Sequence, residues 1–200
     1  MDEHDLDDDP IAQLQAWLAE ARDSVPQPDA MTLATADEEG RPSARVVLLR
    51  GIDERGLAFF TNLTSRKADE LRQNPRAAVV LHWWELGRQV RVEGAVVEVS
   101  DEESSAYWKR RPRASQIAGW ASPQSQSLAD RSDLDARVAE VEERFDGGEV
   151  LLPPFWAAIA SFPTASSSGR TRTAGSTTAF GSSAPAPRGA KSGSLRRAAL

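Results

Sequence analysis

Short apolar segments separated by turn-rich stretches recur along the first half of the chain, and this pattern predicts a mainly β protein. Residues 31–36 alternate weakly between polar and apolar side chains. Residues 46–49 and 57–61 are β-prone or apolar and flank a turn-rich stretch from Gly51 to Gly56. Strands are therefore predicted at residues 31–36, 46–49, 57–61, 76–84 and 88–99, the last with a bulge near Gly94.

Four other segments carry helix signals. Asp9 and Pro10 form an N-cap and first-turn pair ahead of an apolar helical face. Ser100 and Glu103 have the spacing of a capping box. Helices are predicted at residues 10–21, 65–73, 101–110 and 132–145. Because the strands follow one another in hairpin order with few helices between them, we expect a small closed antiparallel barrel rather than a parallel sheet.

Composition narrows the class of protein. A chain of 200 residues suits one domain of ordinary size. It has no cysteine and two histidines, so we expect neither a disulfide scaffold nor a metal site. The net charge of −6 argues against a general nucleic-acid binder. We find no apolar run long enough for a membrane span and no signal peptide, so a cytoplasmic protein is expected.

The stretch from residue 44 to residue 67 contains the first candidate binding site. Arg45 and Arg50 bracket the strand at 46–49, while Arg66 and Lys67 lie in the first turn of a predicted helix, where free backbone N–H groups favour an anion. A ligand with a phosphate monoester and a polar ring system would suit this arrangement. The alternative is that these arginines are solvated surface charges and that Ser65 is a simple N-cap.

A second basic stretch follows the helix predicted at 101–110. Arg110, Arg111 and Arg113, with Tyr107 and Ser115, could converge on a second phosphate. A solvated basic patch at a helix C-terminus explains the same residues, because the helix dipole also favours cations there. Spacing alone leaves both interpretations open.

Six strings in order closely resemble the pyridoxamine 5'-phosphate oxidase family: RVVLLR, FFTN, SRKADEL, NPRAAV, RQVRVEG and YWKRRPRASQIAGWAS. The resemblance runs from about Asp9 to Trp156. It implies an FMN-binding split β-barrel, mainly β with flanking helices, antiparallel, of Greek-key type and homodimeric. It also implies an oxidoreductase that converts pyridoxamine or pyridoxine 5'-phosphate to pyridoxal 5'-phosphate, with FMN as cofactor and O2 as acceptor.

The resemblance also implies roles for individual residues. The family's FMN positions fall on Arg45, Val46, Val47, Leu48, Leu49, Arg50, Phe60, Thr61, Arg66, Lys67, Gln89, Gln124 and Ser125. Its substrate positions fall on Arg50, Tyr107, Arg111 and Ser115, and at Arg50 the family often has a lysine. Because the flavin carries the difficult chemical step, the resemblance assigns no side chain as certainly catalytic.

The composition changes after Trp156. Residues 157–200 contain no Asp or Glu and six Lys and Arg, among many small polar residues. We therefore predict an acidic disordered leader at 1–8, a split-barrel domain at 9–156 and a basic disordered tail at 157–200. The family's EFWQ-like and RLHDR-like motifs are missing there, and a frame change after Trp156 would explain this. Activity is then doubtful. The alternatives are an impaired FMN-binding remnant or another split-barrel flavin or deazaflavin reductase.

Overall fold

A computed structural model describes residues 6–171 and 177–183. The strands are β1 (Ala30–Ala36), β2 (Pro42–Leu48), β3 (Gly51–Asp53), β4 (Gly56–Asn62), β5 (Arg76–Trp83), β6 (Arg88–Glu98), β7 (Trp156–Thr171) and β8 (Thr177–Ser183). The helices are α1 (Pro10–Ala21), α2 (Arg66–Gln73), α3 (Asp101–Arg110), α4 (Arg113–Ala121) and α5 (Arg131–Phe145), with a short 3-10 turn at Trp84–Leu86. No helix within these ranges is long and apolar enough to cross a membrane.

The strands form one sheet in the order β2-β1-β5-β6-β7-β4-β3, with β8 beside β7, and the paired neighbours are antiparallel. β2 and β3 stand at opposite ends of this order, yet only Leu49 and Arg50 separate them along the chain. Two residues span at most about 10 Å, so the sheet must curl until its ends meet. The Leu49 N–H donates to Asp29 beside β1, and the Arg50 N–H donates to Ala58 in β4.

The core fills the inside of the curled sheet and the face beneath α1. Asp9 caps α1, since its side chain accepts from the Ile11 N–H at 2.9 Å, and Pro10 begins the helix as predicted. α1 then buries Leu14, Trp17, Leu18 and Ala21 against the barrel. The strands contribute Met31, Leu33, Leu57, Phe59, Val79, Leu81, Trp83, Val90, Val92, Val96 and Ile159.

A second apolar cluster fixes α3 and α4 beside the barrel. Trp108 of α3 is 1% exposed, and its indole N–H donates to the Val150 carbonyl at 2.8 Å. Ile117 of α4 and Trp156 of β7 pack in the same cluster. Ser104 accepts a hydrogen bond from the backbone N–H of Ala158 at 3.2 Å, which ties α3 to β7. These contacts hold the end of α3 and the start of α4 next to the sheet.

The predicted mainly β, antiparallel architecture with flanking helices is confirmed, and the five predicted strands and four predicted helices all occur within a few residues of their predicted bounds. The bulge is confirmed as a register shift between Glu93 and Gly94 in the β6–β7 pairing. β3 was predicted as part of a turn and α4 as a basic stretch without a helix, so both of these elements were missed.

The structure describes backbone strands in part of the segment that the composition predicts to be disordered. β7 pairs with β4 through residues 156–161 and with β6 through residues 159–170, so it occupies a central place in the sheet. The disorder predicted for residues 1–5, 172–176 and 184–200 lies outside the described residues. The composition changes after Trp156, but the backbone continues as a strand through residue 171.

Replacing Gly119 with alanine should destabilise the protein, although this substitution normally stabilises a helix by about 1 kcal/mol. A Cβ atom at Gly119 would lie 2.8 Å from Cη2 of Trp108, which is buried and cannot move aside. We expect a net loss of about 1–2 kcal/mol in the free energy of unfolding, measured by urea denaturation. Ala114→Gly, on the exposed face of α4, is the control and should show only the propensity cost. A more stable G119A variant would contradict this packing.

Candidate active site

A large cavity of about 1060 Å³ opens beside the junction between β2 and β3. β2, β4, the first turn of α2, the end of α3, α4 and the segment after α4 all contribute to it. The lining residues are Ser43, Ala44, Arg45, Val46, Val47, Leu48, Arg50, Phe60, Thr61, Arg66, Lys67, Tyr107, Arg110, Arg111, Pro112, Ser115, Ala118, Gly119, Ser122, Gln124, Ser125 and Trp156.

Arg45, Arg66, Lys67, Gln124 and Ser125 form a group that we call the α2 cluster. The Lys67 ammonium donates to Gln124 Oε1 at 2.9 Å, and the backbone N–H of Arg66 donates to Ser125 Oγ at 3.2 Å. Ser125 has a left-handed backbone with φ of 64°. The segment after α4 is thus held against the N-terminus of α2, where the helix dipole favours an anion.

The charges of the α2 cluster are set by burial and by a carboxylate behind it. Burial and the nearby charge of Arg45 lower the pKa of Lys67 to about 8, although Glu70 opposes this shift. Burial raises the pKa of Glu70, but hydrogen bonds from Ser43, Thr35 and the two arginines outweigh it and lower that pKa to about 2. Near neutral pH the cluster therefore carries cationic groups beside one ionised carboxylate.

Arg50, Tyr107, Arg110, Arg111 and Ser115 form a second group, the α3–α4 cluster. Arg111 lies at the break between the two helices and donates from Nη2 to the Ser115 carbonyl at 2.9 Å. Burial, with a contribution from Arg50, lowers the pKa of Arg111, and Tyr107 opposes this shift. A guanidinium remains charged in proteins, so the lowered pKa marks a cation that is poorly solvated and favours an anionic ligand.

Aromatic rings lie against the α3–α4 cluster. Phe60 of β4 stacks on Tyr107 with ring centroids 3.9 Å apart, and on Trp156 with centroids 4.8 Å apart. The Arg111 guanidinium lies 4.7 Å from the centroid of the Trp156 ring. These contacts hold Tyr107 and Arg111 in fixed orientations at the cavity surface.

The cavity also presents apolar surface. Val46 lies on β2 and is 66% exposed, which is unusual for a valine on a strand. With Leu48, on the same face of β2, it gives one side of the cavity an apolar edge, while Val47 borders the cavity but packs against the core. A planar ring system could lie on this surface while its anionic group contacts a cationic cluster.

The structure brings together most of the residues to which the family resemblance assigned roles. All four substrate positions line the cavity, as do the cofactor positions other than Leu49 and Gln89. Leu49 is 5% exposed and belongs to the core. Gln89 lies on β6, paired with His82 of β5, and is not among the lining residues.

Three features of the site go beyond the sequence prediction. The sequence left open whether Arg113 joins the second cluster, and the structure places it outside the cavity lining, with its guanidinium donating to the Gly148 carbonyl. Arg50, which the resemblance places near both ligands, also donates to Asp29 Oδ2 at 2.6 Å, a partner that the sequence did not indicate. Gly119 and Ala118 were missed because α4 was not predicted as a helix, and its apolar spacing was the signal that could have revealed it.

Sequence comparison gives one consistent family. The family model described as pyridoxamine 5'-phosphate oxidase matches residues 18–145. A pyridoxine/pyridoxamine 5'-phosphate oxidase from Rubrobacter xylanophilus is 52% identical over 155 residues, which cover 77% of this chain and 71% of that protein. An oxidase of the same name from Paraburkholderia phymatum is 48% identical over 166 residues, covering 82% of this chain and 78% of that protein.

Solved structures agree on the fold. PhzG from Burkholderia lata 383, in complex with tetrahydrophenazine-1-carboxylic acid, superposes with a TM-score of 0.78 at 30% identity, covering 89% of this chain and 94% of that one. A pyridoxamine 5'-phosphate oxidase-related, FMN-binding protein from Nostoc punctiforme superposes with a TM-score of 0.65 at 17% identity, covering 88% of this chain and 98% of that one. The second likeness shows the fold alone.

Proposed function

The chain belongs to the pyridoxamine 5'-phosphate oxidase family, and from that premise we propose that it oxidises pyridoxamine or pyridoxine 5'-phosphate to pyridoxal 5'-phosphate, with FMN as cofactor and O2 as acceptor. The observation that carries this proposal is a single cavity that holds two separate cationic clusters. One cluster suits the phosphate of the cofactor and the other suits the phosphate of the substrate.

The residues of the α2 cluster fit FMN. The positive end of α2, the charges of Arg66 and Lys67 and the hydroxyl of Ser125 supply donors for a phosphate dianion. The exposed Val46 supplies an apolar surface for a planar ring. FMN, when bound, supplies the acceptor for the hydride that leaves the substrate carbon. The protein holds the cofactor by its phosphate and orients its ring system.

The α3–α4 cluster orients the substrate. Arg111 and Arg50 offer two guanidinium groups to a phosphate, and Ser115 can add a hydroxyl donor. Tyr107 is held by its stack on Phe60, so its position is set before a ligand binds. Fixing both phosphorylated rings in one cavity converts an encounter in solution into a reaction between oriented groups, which lowers the barrier without a protein nucleophile.

A second candidate substrate class follows from the likeness to PhzG, whose structure holds a tricyclic carboxylic acid. The two candidates are separated by measuring oxygen uptake by the FMN-loaded chain with pyridoxamine 5'-phosphate, unphosphorylated pyridoxamine and tetrahydrophenazine-1-carboxylic acid. We expect turnover of the phosphorylated amine and much weaker turnover of the other two. Preference for the phenazine acid would replace the proposed substrate, and equal rates with both pyridoxamine forms would contradict the phosphate role of the α3–α4 cluster.

We also propose a homodimer in which Gln89 serves the cavity of the second copy. The family resemblance assigns Gln89 to FMN, yet it does not line the cavity of its own chain. Light scattering should therefore give twice the chain mass. Mixed dimers of Gln89→Ala and Lys67→Ala chains should bind FMN more tightly than either variant alone, because one of their two sites is intact. A monomer that binds FMN at full affinity would contradict this arrangement.

FMN affinity should fall as pH rises through about 8. Lys67 is charged below its pKa of about 8, so FMN binds a preformed cation there, while at higher pH binding must recruit a proton. The dissociation constant should be lowest near pH 7, where the phosphate is a dianion and Lys67 is charged, and rise by up to about tenfold per pH unit above pH 8. Quenching of flavin fluorescence measures it. Lys67→Arg is charged throughout and should lose this dependence, and an unchanged profile in that variant would contradict the role of Lys67.

The sequence after Trp156 bears on catalysis, because the EFWQ-like and RLHDR-like motifs expected from the family do not occur there. We propose that a frame change after Trp156 produced this segment. The proposal rests on the absence of acidic residues from residue 157 onward and on a codon argument: with one base restored after Trp156, G/C-rich codons for residues 166–170 can encode FEFWQ and those for residues 175–179 can encode RLHDR. Sequencing the gene across the Trp156 codon should show an alternative frame that encodes an RLHDR-like motif. A gene without such a frame would overturn this proposal, while the proposed binding of FMN would stand.

A further inference from the structure

Glu70 is a buried acidic residue behind the anion end of the cavity. It lies on α2, one turn after Arg66, and is 4% exposed. It is not among the residues that line the cavity, whereas its two arginine partners, Arg45 and Arg66, are. Ser43, which also bonds Glu70, lines the cavity as well, so any effect of Glu70 on the site passes through its bonded partners.

Four donors from three elements converge on this carboxylate. Oε2 accepts from Thr35 of β1 at 2.5 Å, and from Ser43 and Arg45 of β2 at 2.6 and 3.1 Å. Oε1 accepts from Nε of Arg66 at 2.7 Å. Both oxygens are thus satisfied by groups whose backbones belong to the sheet or to α2 itself.

The bonding pattern leaves the terminal amino groups of Arg66 available, whereas both terminal nitrogens of Arg45 are engaged by protein acceptors. Arg66 reaches Glu70 through Nε alone, and among the described residues its two terminal amino groups have no hydrogen-bond partner. Its side chain is 62% exposed, so without an anchor it would sample many rotamers. Arg45 is held more deeply, since its terminal nitrogens also bond the hydroxyls of Thr35 and Ser43.

We propose that Glu70 is a positioning residue that holds Arg45 and Arg66 in the arrangement that receives the phosphate of FMN. This inference rests on the proposed function. A buried carboxylate is costly unless it is fully hydrogen-bonded, and here every bond also fixes a group at or next to the cavity. An ordered pair of guanidinium groups loses less entropy when a phosphate binds, so affinity rises.

The negative charge of Glu70 lowers the affinity for FMN, whereas its positioning of the arginines raises it. Two variants separate these two effects. A carboxylate near a phosphate site weakens anion binding by Coulomb repulsion. If charge alone mattered, Glu70→Gln would bind FMN more tightly and Glu70→Asp would match the wild type. If positioning dominates, both variants bind FMN more weakly. In Glu70→Gln the amide NH2 group would face groups that themselves donate hydrogen bonds, so at least one of these bonds is lost. In Glu70→Asp the side chain is too short to reach the hydroxyls of Thr35 and Ser43.

The binding experiment titrates the full chain with FMN and with riboflavin, which lacks the phosphate. We expect Glu70→Gln and Glu70→Asp each to lose about tenfold in FMN affinity and to keep the wild-type affinity for riboflavin. Thr35→Val, which removes one donor to Glu70 and keeps its charge, should show a smaller loss of the same kind. Tighter FMN binding by Glu70→Gln, or equal losses for both flavins, would overturn the inference.

A measurement without flavin keeps the inference separate from the proposed function. The Nε–H signal of Arg66, which donates to Glu70, should show slow exchange and restricted motion in ¹⁵N NMR of the wild type, unlike that of the exposed Arg131. Glu70→Gln should release Arg66. Equal mobility of Arg66 before and after the substitution would overturn the positioning role, whatever ligand the cavity binds.

Discussion

Replacing Arg111 with alanine should lower kcat/KM for pyridoxamine 5'-phosphate by about 100-fold, mainly through a higher KM. Arg111 is the half-buried guanidinium of the α3–α4 cluster, and it is held by the Ser115 carbonyl and by the Trp156 ring. Burial deprives the Arg111 guanidinium of solvating water. A bound phosphate would supply the hydrogen-bond acceptors that this water would otherwise provide. Because the phosphate does not change during the reaction, its contacts affect ground state and transition state alike.

Arg113 provides a matched control two residues away. It has the same side chain, but it donates to the Gly148 carbonyl outside the cavity lining. Arg113→Ala should therefore leave kcat/KM near the wild-type value. Arg111→Lys should fall between the two, because an ammonium keeps the charge and loses the planar fork and the stacking. An Arg111→Ala variant with normal thermal stability and an unchanged KM would contradict the assignment of this cluster to the substrate phosphate.

Ending the chain after Phe155 should abolish folding. This truncation removes β7, which lies between β6 and β4 in the sheet, and it removes Trp156 from the second apolar cluster. The ladder with β4 would be lost, and Phe59 and Ile159 would no longer be paired across it. Two long strand edges would be exposed, which favours aggregation.

The truncated chain is compared with the full chain by solubility and by near-ultraviolet circular dichroism. We expect the full chain to be soluble with an ordered aromatic signal, and the truncated chain to be insoluble or without that signal. Ser104→Ala, which removes only the hydroxyl that accepts from the Ala158 N–H, is a milder variant and should cost about 1 kcal/mol. A truncated chain with the melting temperature of the full chain would show that β7 contributes nothing to the fold.

The local elements of the barrel could be predicted because their signals are short-range. The N-cap pair Asp9 and Pro10 begins α1, and the bulge beside Gly94 lies where a glycine interrupts alternation. α4 was missed because it begins after Pro112 without a side-chain cap. β7 could not be predicted because its sequence is rich in Ser and Ala, and its strand conformation depends on pairing with β4 and β6.

The residues of the candidate site also divide into those with a local sequence signal and those whose role depends on tertiary packing. The cations of the α2 cluster stand out in the sequence because they lie at a helix start. Glu70 does not stand out, since with Arg66 it reads as an ordinary i,i+4 surface pair. Its burial arises only when α2 packs on the hydroxyls of Thr35 and Ser43, which are distant in sequence. The residues behind the site could therefore be identified only from the structure.

The most direct measurement is the visible absorption spectrum of the purified 200-residue chain after incubation with FMN and removal of free flavin by dialysis. The central claim is that the cavity between β2, β4 and α2 holds FMN by its phosphate. We predict a yellow protein with one FMN per chain, and loss of most of this flavin when Lys67 and Arg66 are both replaced by alanine. A folded wild-type chain that retains no flavin, or a double variant that retains as much as the wild type, would contradict that claim.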